Sequence, residues 1–558
     1  MPLCRLILLG LVLGFFGSAV SSQAVEPLRF GETRIRIVDI YGEDELKESA
    51  GLVNLAHRTM NTLHSGTRHR IISNELLFRT GDPFETDLLA ETERNLRSLG
   101  FLNHVTITPL DTLADGTVPI EVSVQETWTL STQFSYSRSS SSDRWTALIS
   151  DNNFLGYGVH LEAGLGQDED RDWRSLYFQN RRVMGTGWLV RARTTDLSDG
   201  HTHEVGLEHP FYALDDPWGV TALGWDLSFR PRYYLSPFAL DQTTNGNDRL
   251  YMTPTLRREG LFAQALYRAS PRNRGRIWRV GAGLWTEMLN YGLPDQVALS
   301  DDRIISRDEA QSAAGEPFHR ESGRLVQPYL RIESQGRTWA TDRFVLRYGA
   351  DEDISLEPSF FLKMGPALTV LGSDRERWLY EAGLLDWSRL GPGWLMTWVE
   401  ARGSFSTPDK AWRHGGLTLG WFSHLLGGMS RIIFETAAAD DPPGTEALSL
   451  GLTRGLRTLE YDGMVGDRLV RWNVEQAVLY PDEIMGFWRA GLAAFYAGGA
   501  AWWDGGSRGL DDARHELGFG LRFGPTRSAR TEIGRLDLAW PLDGSSGPTL
   551  TAKTGGFF

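Results

Sequence analysis

Segments of alternating hydrophobicity, each about ten residues long, recur from Thr127 to Phe558 and are separated by turn residues. In His515–Pro525, for example, leucine and phenylalanine alternate with glutamate, glycine and arginine. Successive side chains of a strand point to opposite faces, so each segment would have one apolar and one polar face. The pattern predicts an all-β transmembrane barrel of about 16 antiparallel strands, with hydrocarbon outside and polar groups inside.

A soluble β-sandwich or propeller is the alternative fold for such a strand-rich region. A propeller would show a recurring signature at a spacing of about 40 residues, and the chain has none. The composition also suits a barrel, because the chain has 20 Trp, 16 Tyr and 61 Gly while its mean hydropathy is only −0.29. Trp and Tyr near segment ends are typical of the aromatic girdles at the two membrane surfaces.

The first residues are typical of an exported protein. Arg5 precedes the apolar run Leu6–Phe16, and Ser22–Ala24 is a plausible cleavage site, so residues 1–24 are predicted to be a signal peptide. A membrane anchor is the alternative, but the apolar run is shorter than the ~20 residues that a span needs. The only cysteine, Cys4, lies in this segment, which excludes disulfides and thiolate sites from the mature chain.

Several function classes are disfavoured by the rest of the chain. The net charge of −14 argues against nucleic acid as a partner. No G-x-S-x-G, Walker-type or strand–helix G-x-G-x-x-G motif occurs. His201, His203 and Glu204 lie together, but third and fourth metal ligands are not identifiable. The chain is therefore predicted not to be an enzyme and to hold no metal or cofactor.

Residues 25–126 differ from the rest of the chain because strand and helix patterns are mixed there. Alternation in Thr33–Ile40 predicts a strand, and apolar residues at helical spacing predict a helix over Leu46–Leu63. A second helix stops at Gly100, and Val118–Glu126 is predicted to form a hairpin with the strand before it. These elements predict a small sheet with two helices packed on one face.

Three stretches carry a resemblance to a known family, namely Gly81–Ile107, Asp151–Gly158 and Leu517–Leu542. They resemble, in turn, the second half of a POTRA domain, the N-x-x-G-x-G hairpin that opens the barrel and the last barrel strands of the outer-membrane POTRA–barrel superfamily. This is the bacterial surface antigen family, which includes BamA- and TamA-type assembly factors and two-partner secretion transporters. The resemblance implies a single α+β POTRA domain over residues 25–126, located in the periplasm, and an outer-membrane β-barrel over residues 127–558.

The same family folds one long loop back into the barrel lumen through an L-R-G-[FY] motif. Aligned on a downstream Gly-Asp pair, the motif falls on Leu456, Arg457, Thr458 and Leu459, and the pair is Gly466 and Asp467. Thr458 and Leu459 thus replace the motif's glycine and aromatic residue. A rival placement on Arg454–Leu456 keeps Arg-Gly but breaks the spacing to the Gly-Asp pair.

In the family, the loop arginine pairs with acidic residues on the inner barrel wall. The resemblance implies Glu475 as the acidic partner of Arg457, because Glu475 lies on the polar face of the next strand. A second family acid is replaced here by Ala497, and Glu516 or Asp537 are the lumen acids that could substitute for it. The alternative is that Arg457 is a solvated charge in an exposed loop.

A barrel in lipid must join its last strand to its first, since an open edge would leave backbone N–H and C=O groups unpaired. The first strand is predicted at Thr127–Ser137 and the last at Thr549–Phe558. The residues expected at this seam are Thr127, Trp128, Phe557 and Phe558.

The resemblance implies a protein that assists insertion or translocation of a polypeptide, or of lipid, at the outer membrane. Its partners would be outer-membrane lipid and an unfolded or secreted client, which would add a strand to the POTRA sheet. The alternative is a passive channel or structural outer-membrane barrel without a transport client, which the altered motif residues Thr458, Leu459 and Ala497 favour. A membrane enzyme is a third hypothesis, of a different class.

Overall fold

The structure is a computed structural model, and it describes most of the chain beyond its first residues. The described residues are 27–138, 143–237, 240, 249–272, 274–347, 350–405, 411–452, 454–529, 533–544 and 547–554. The predicted signal peptide, residues 1–24, lies outside them, as do two of the predicted seam residues, Phe557 and Phe558. No helix in the described ranges has the length and apolar character that crossing a membrane requires.

A small α+β domain precedes the barrel. Its elements are β1 (Arg29–Val38), α1 (Glu43–Glu48), α2 (Gly51–Leu63), α3 (His69–Glu75), α4 (Thr86–Arg97), β2 (Leu102–Pro109) and β3 (Thr117–Glu126). The sheet order is β1-β3-β2, with β1 parallel and β2 antiparallel to the central strand β3. The sheet and its hairpin therefore match the prediction for this region.

The domain core follows from the alternation along β3. The buried side chains of this strand include Val118, Ile120, Val122 and Val124, which all point to one face. This face packs against buried residues of α3 and α4, namely Ile72, Leu89 and Leu96. The helix predicted over Leu46–Leu63 is divided into α1 and α2, which contribute no residue to this core, so its predicted packing on the sheet is wrong. The second predicted helix, α4, does cover the sheet, and the other covering helix is α3, which the pattern did not predict.

The rest of the chain is almost entirely strand. The elements in chain order are β4 (Leu130–Arg138), β5 (Asp143–Asp151), β6 (Val159–Gln167), β7 (Asp172–Asn180), β8 (Leu189–Leu197), β9 (Gly200–His209), β10 (Trp218–Phe229), β11 (Tyr233–Tyr234), β12 (Tyr251–Met252), β13 (Thr255–Arg268), β14 (Ile277–Gly292), β15 (Gln296–Ala298), β16 (Ile304–Ser306), α5 (Arg307–Glu321), β17 (Gly323–Gln335), β18 (Trp339–Arg343), β19 (Asp351–Ser355), β20 (Ser359–Ala367), β21 (Arg377–Leu390), β22 (Gly393–Phe405), β23 (Arg413–Ser423), β24 (Gly428–Asp440), β25 (Leu448–Leu450), β26 (Met464–Gly466), β27 (Arg468–Leu479), β28 (Trp488–Trp502), β29 (Arg514–Pro525), β30 (Gly534–Pro541) and β31 (Thr549–Thr554).

Twenty of these strands close into one antiparallel barrel. The prediction of about 16 strands is therefore wrong in number, although the even count typical of such barrels holds. Tight turns explain the difference. Ser198–Asp199 joins β8 to β9, and Gly391–Pro392 joins β21 to β22, so two strands follow each other with almost no break in the hydrophobic pattern.

The two faces of the barrel wall have opposite chemistry. On β29 the outward side chains Leu517, Phe519, Leu521 and Phe523 are exposed, as expected for a surface that meets hydrocarbon. Glu516 and Arg522 on the same strand point into the lumen and are completely buried. The predicted assignment of faces on this strand therefore agrees with the fold.

The two ends of the barrel carry different elaborations. The end nearest the α+β domain, called here the domain end, has short turns, among them 152–158, 181–188 and 480–487. These turns bond to the α+β domain, for example Asn153 to Thr67 and Arg182 to Glu75. At the opposite or distal end, β11, β12, β15, β16 and α5 pack into an apolar cluster.

Candidate functional site in the barrel lumen

A long loop, residues 441–467 between β24 and β27, returns from the distal end into the lumen. It is ordered by a short β25–β26 pairing and by an apolar contact with the barrel wall. The residues in this contact include Leu450, Leu456 and Met464 of the loop and Leu469, Ala497 and Ala501 of the wall. Ala497, which stands where the family has an acid, thus supplies a methyl group to the loop contact.

Arg457 is the polar anchor of the loop, with 4% of its side chain exposed. Its Nε donates to Oδ2 of Asp537 at 2.8 Å, and its Nη1 donates to Oε1 of Glu516 at 2.9 Å. The guanidinium carbon lies 3.8 Å from the centre of the Phe495 ring. Carboxylates on two neighbouring strands and one aromatic face therefore hold the loop inside the lumen.

Glu475 lies in the lumen, but it is not the partner of Arg457. Its carboxylate accepts hydrogen bonds from Nε and Nη2 of Arg522, with the Nε bond at 3.1 Å. Arg522 also donates to Asp537, which links this ion pair to the Arg457 anchor. The expected Arg457–Glu475 pair is thus replaced by a network in which Glu516 and Asp537 bind the loop and Glu475 binds the wall arginine.

The other motif residues have distinct places. The backbone N–H and the hydroxyl of Thr458 both donate to Oε2 of Glu516, at 3.0 and 3.1 Å. Leu459 packs against the apolar loop contact. Gly466 leaves no room for a side chain, because an added Cβ would lie 1.9 Å from the carbonyl oxygen of Trp502. Asp467 accepts a hydrogen bond from the N–H of Asp504 at the distal rim.

The rival placement of the motif puts its arginine at Arg454, which the structure leaves exposed. Arg454 donates to the hydroxyl of Ser449 within its own loop and forms no contact with the acids of the wall among the bonds of the described residues. Arg457 is therefore the arginine that lies in the lumen, as the alignment on Gly466 and Asp467 implied.

Three cations follow one another across the last strands of the barrel. Arg522 on β29 is the register partner of Arg535 on β30, and Arg535 is the register partner of Lys553 on β31. Like charges directly opposite each other destabilise strand pairing. Arg522 is compensated by two carboxylates, and Lys553 donates to the carbonyl of Leu452 at 2.9 Å.

Arg535 is the least compensated member of this cationic row. Its Nε lies 3.9 Å from Oδ2 of Asp537, beyond hydrogen-bonding distance. Its Nε and Nη1 are buried without a hydrogen-bond partner in the part of the chain that the structure describes. The strands next to the seam therefore carry a local electrostatic cost.

The seam between β31 and β4 has fewer register pairs among the described residues than any other junction of the barrel wall. These are two, Thr551 with Ser137 and Ala552 with Tyr136. The flanking pairings β30–β31 and β4–β5 have six and nine. Since each register pair contributes backbone hydrogen bonds and side-chain contacts, the described part of the seam is held by fewer such contacts than the junctions beside it.

Thr127 and Trp128, expected at the seam, lie elsewhere. The N–H of Thr127 donates to the carbonyl of Phe101 in the α+β domain. Trp128 pairs with the turn between β29 and β30, giving an N–H bond to Arg527 and accepting one from Ala529. This correction has a simple cause: the strand pattern begins at Thr127, but the first residues bond to the domain and its neighbouring turn before β4 enters the wall.

A second insertion closes the lumen from the domain end. The β18–β19 hairpin turns inward, and Val345 and Ile354 of this segment pack with lumen-facing aromatic residues, namely Trp387, Trp394 and Phe422. Its Asp342 accepts a hydrogen bond from Nε1 of Trp394 at 2.7 Å. Arg97 of α4 binds the hairpin from the side of the α+β domain through a clasp of two hydrogen bonds. Its Nη2 and Nε donate to the carboxylate of Asp353 at 2.7 Å and 3.0 Å.

The junction between domain and barrel contains a buried acid–histidine pair. Oε2 of Glu126 lies 3.1 Å from Nε2 of His64, and the other oxygen accepts the N–H of Thr67. Burial raises the pKa of Glu126, but His64 and Thr67 lower it more, so the net pKa lies below its usual value. The charged carboxylate is thus stabilised at the point where the chain enters the barrel.

Residues 64–127 match the POTRA family model, described as a surface antigen variable number repeat. The match covers α3, α4, β2 and β3, and a closed antiparallel barrel follows directly. This chain joins a POTRA domain to a β-barrel. The POTRA domain that the resemblance implied is thereby confirmed over residues 64–127, and the closed barrel after it is the fold that the resemblance implied.

Solved structures similar to this POTRA–barrel protein include two CdiB proteins and one BamA. "CdiB from Escherichia coli" is 10% identical with a TM-score of 0.44, and the match covers 96% of this chain and 91% of that one. "CdiB from Acinetobacter baumannii" is 11% identical with a TM-score of 0.40, covering 94% and 89%. BamA from Haemophilus ducreyi lacking POTRA domains 1–3 is 13% identical with a TM-score of 0.37, covering 94% and 83%. A search of curated proteins finds no match.

The POTRA–barrel protein shows no group of three or more metal-type side chains within the residues that the structure describes. His201 and His203 lie on one face of β9 with their rings stacked 4.8 Å apart, and Glu204 is on the other face. His203 shares a hydrogen bond with the hydroxyl of Thr194, and His201 lies 3.6 Å from Asp226. Local strand contacts thus account for this pair of histidines.

Two functional features of the POTRA–barrel protein are not predicted by the residue patterns, namely the inward course of the β18–β19 hairpin and the row of facing cations. The acidic residues of the hairpin are typical of a solvated turn, and nothing in them indicates that it turns inward. Alternation with apolar residues does assign Arg522 and Arg535 to the lumen. Their position opposite each other depends on the strand register, which the pattern does not contain.

Proposed function

We propose that this POTRA–barrel protein assists insertion or translocation of a client polypeptide at the outer membrane, with the POTRA domain in the periplasm and the client engaged at the seam. The single observation that carries this proposal is the short β31–β4 pairing, with two register pairs among the described residues. A strand edge exposed by opening this seam offers backbone groups that a client strand can pair with.

The filled lumen favours the seam, and not a central channel, as the route of the client polypeptide. From the distal end the Arg457 loop fills the lumen, and from the domain end the β18–β19 hairpin and the clasp of Arg97 on Asp353 cover it. A polypeptide passing through the lumen would have to displace both insertions with their buried contacts. Opening the seam breaks two register pairs among the described residues.

Repulsion within the cationic row also favours opening of the seam. Arg522, Arg535 and Lys553 face one another across β29, β30 and β31, so mutual repulsion acts within the strands that lead to the seam. Their charge also complements an acidic side chain on an incoming client strand. Both effects lower the free energy of an opened, client-paired state relative to the closed barrel.

The POTRA sheet supplies the second client contact of the proposal. β2 is an edge strand, but its edge is partly covered because Oε1 of Glu93 accepts the N–H of Ile107 at 2.7 Å. A client strand that adds to this edge would replace the Glu93 carboxylate with its own carbonyl groups. Capture at β2 and transfer to the nearby seam would then be successive steps of one process.

A disulfide across the seam tests the route. Ser137→Cys and Thr551→Cys place two cysteines at a register pair, where Cα atoms of antiparallel strands are about 4.5–5.5 Å apart, a distance that disulfides span. The readout is insertion of radiolabelled unfolded outer-membrane protein into liposomes that contain the purified chain. Oxidation should lower the yield at least tenfold, and reduction should restore it.

The matched control places cysteines at Ala539 and Thr549, the register pair that joins β30 to β31. That disulfide should leave the yield unchanged, because β30 and β31 stay paired when the seam opens. An equal loss in both variants, or full activity of the oxidised seam variant, would overturn the seam route. Absence of any insertion by the wild-type protein, for clients of both membrane and secreted type, would overturn the proposed function itself.

A further inference from the structure

Helix α2 differs from a normal surface helix because it turns leucines outward. Its inward side carries polar side chains that bond to the rest of the protein. Asn61 donates to the carbonyl of Tyr41 and accepts the N–H of the same residue, and Asn54 donates to the carbonyl of Ser49. His57 is the one buried residue of the helix, with Nε2 2.9 Å from the carbonyl oxygen of Met485. The polar groups are thus used to attach α2 to the rest of the protein.

The outward face of α2 carries three exposed leucines, together with Thr59 and Thr62, whose hydroxyls donate to carbonyl groups of the helix itself. Leu52, Leu55 and Leu63 have relative exposures of 80%, 61% and 69%, and all three lie on the side of the helix turned away from His57. Helix α2 also lies outside the POTRA family match, which begins at residue 64. A segment before the matched part of the domain therefore carries three leucines that none of the described residues covers.

The position of α2 connects two sides of the seam. Through His57 and Tyr41 it bonds to Met485 and Gly486, in the turn between β27 and β28. Just after the helix, the N–H of Arg68 donates to the carbonyl of Gly156, in the turn between β5 and β6. In barrel order the seam lies between these two turns. α2 therefore lies at the domain end of the barrel wall, at the level where the strands leave the membrane.

Several turns at the domain end of the barrel carry exposed apolar residues in the left-handed backbone conformation. Four of them have a positive φ between 51° and 56°, a conformation that costs energy for a side chain other than glycine: Leu155, Met184, Leu426 and Met485. Their exposures range from 52% to 88%. Each precedes a glycine that also has a positive φ, so one strained turn shape recurs around the rim.

These turn residues continue the hydrocarbon-facing surface of the barrel. Tyr480 and Trp488 flank the turn that holds α2, and both are exposed aromatic residues of the kind found at membrane interfaces. Ile484, in the same turn, is 46% exposed. The apolar belt of the barrel thus reaches the turn to which α2 is attached.

We propose that α2 is an interfacial helix, whose leucine face is covered by lipid of the membrane leaflet at the domain end. The partner is a lipid surface, because α2 is attached to the turn that the lipid-facing belt reaches and because lipid covers leucines without needing directed hydrogen bonds. The exposed left-handed turn residues enter the same leaflet. Together they hold the POTRA domain against the membrane beside the seam and keep it from swinging away.

Site-specific fluorescence tests this placement. The chain from Val25 onward has no cysteine, so Leu55→Cys creates a single labelling site on the outward face of α2. The labelled full-length mature protein is reconstituted into phosphatidylethanolamine–phosphatidylglycerol liposomes with and without lipids that carry a quencher just below the headgroup. A solvent-sensitive fluorophore at this position should show a blue-shifted emission and lose at least half its intensity to the quencher lipids.

Leu113→Cys is the matched control. It is also an exposed leucine of the POTRA domain, 52% exposed, but it lies in the β2–β3 turn, at the end of the sheet away from the barrel. Its label should be unaffected by the quencher lipids. Both positions are exposed, so the variants should fold like wild type, which the mobility shift of the heated and unheated barrel on gels verifies.

Three results would overturn the proposal. One is equal, weak quenching at positions 55 and 113, which would place α2 in water. Another is a blue shift at position 55 that appears only after addition of an unfolded client polypeptide, which would identify α2 as a client-binding surface. The third is unchanged membrane proximity of position 55 after Leu52→Glu and Leu63→Glu, which would mean that the leucines do not hold the helix there. The proposal concerns lipid contact and does not depend on client transport.

Discussion

Arg457 of the returning loop and Glu516 of β29 form the central contact of the lumen, with Nη1 and Oε1 2.9 Å apart and both side chains almost completely buried. The N–H and hydroxyl of Thr458 bind the second oxygen of the same carboxylate. The residue that replaces the family's glycine therefore adds to the anchor instead of weakening it. The loop remains attached to the wall although Ala497 replaces the family's second acid.

Breaking this contact should be costly, because it leaves a buried charge without its partner. We expect Arg457→Ala and Glu516→Ala each to lower the free energy of unfolding by about 3–5 kcal/mol. The double variant should lose clearly less than the sum of the two, since the second change removes the stranded charge. Urea unfolding in detergent, followed by tryptophan fluorescence, measures these values. Arg454→Ala, in the exposed part of the loop, should change stability by about 0.5 kcal/mol or less.

The coupling energy between pairs of substitutions also tests which acid binds Arg457. If Glu475→Ala couples to Arg457→Ala more strongly than Glu516→Ala does, the geometry described above is contradicted. Glu475→Ala should instead couple to Arg522→Ala, its own partner.

Removing the poorly compensated cation should stabilise the barrel. Arg535→Met replaces a buried guanidinium by an apolar side chain of similar length, and we expect a gain of about 1–4 kcal/mol in the free energy of unfolding. Arg522→Met, on the same row but with two carboxylate partners, should lose about 3–5 kcal/mol. The same unfolding assay compares the two variants, and a loss of stability in Arg535→Met would show that Arg535 is compensated after all.

The β18–β19 hairpin should limit ion flow through the lumen. Replacement of residues 338–356 by a short Gly-Ser linker removes the plug, and we expect single-channel conductance in planar bilayers to rise several-fold. Arg97→Ala, which only breaks the clasp on Asp353, should produce brief openings at the same maximum conductance. A wild-type protein that already conducts as well as the deletion variant would favour the passive-channel alternative.

The junction at Glu126 should lose stability in acid. Burial raises the pKa of this carboxyl, but His64 and Thr67 lower it more. The pKa in the folded protein therefore lies below the value of ~4.3 that a glutamate has in the unfolded chain. Stability from this group is therefore present above the unfolded pKa and is lost as the pH falls through the folded one. Glu126→Gln should flatten the pH dependence below about pH 5, measured by thermal melts. An unchanged profile would assign the acid sensitivity to other groups.

The edge of β2 should become more available when Glu93 is removed. Glu93→Ala frees the N–H of Ile107, so the exchange of this amide hydrogen with solvent should accelerate at least tenfold. Photo-crosslinking of a client peptide to β2 should increase in the same variant. Asp87→Ala, an exposed acid on the same helix, serves as the control and should change neither measurement. Faster amide exchange without increased crosslinking would show that the free β2 edge does not bind the client peptide.

Much of this architecture is readable from local residue patterns. Alternation along the strands assigns Leu517 and Phe519 to the lipid and Glu516, Arg522 and Asp537 to the lumen, because a side-chain period of two depends only on the strand conformation. The same reasoning separates the POTRA domain from the barrel. The Gly466–Asp467 pair likewise pointed to Arg457 as the loop arginine.

Other features depend on which strand lies next to which, and local patterns do not contain that information. A lumen-facing acid can meet any arginine whose strand register brings it close, so Glu475 bonds to Arg522 while Glu516 and Asp537 bind Arg457. The count of twenty strands, the row of facing cations and the inward course of the β18–β19 hairpin arise in the same way. They result from pairing between residues far apart in the chain, where closure of the whole barrel, not any single segment, selects the register.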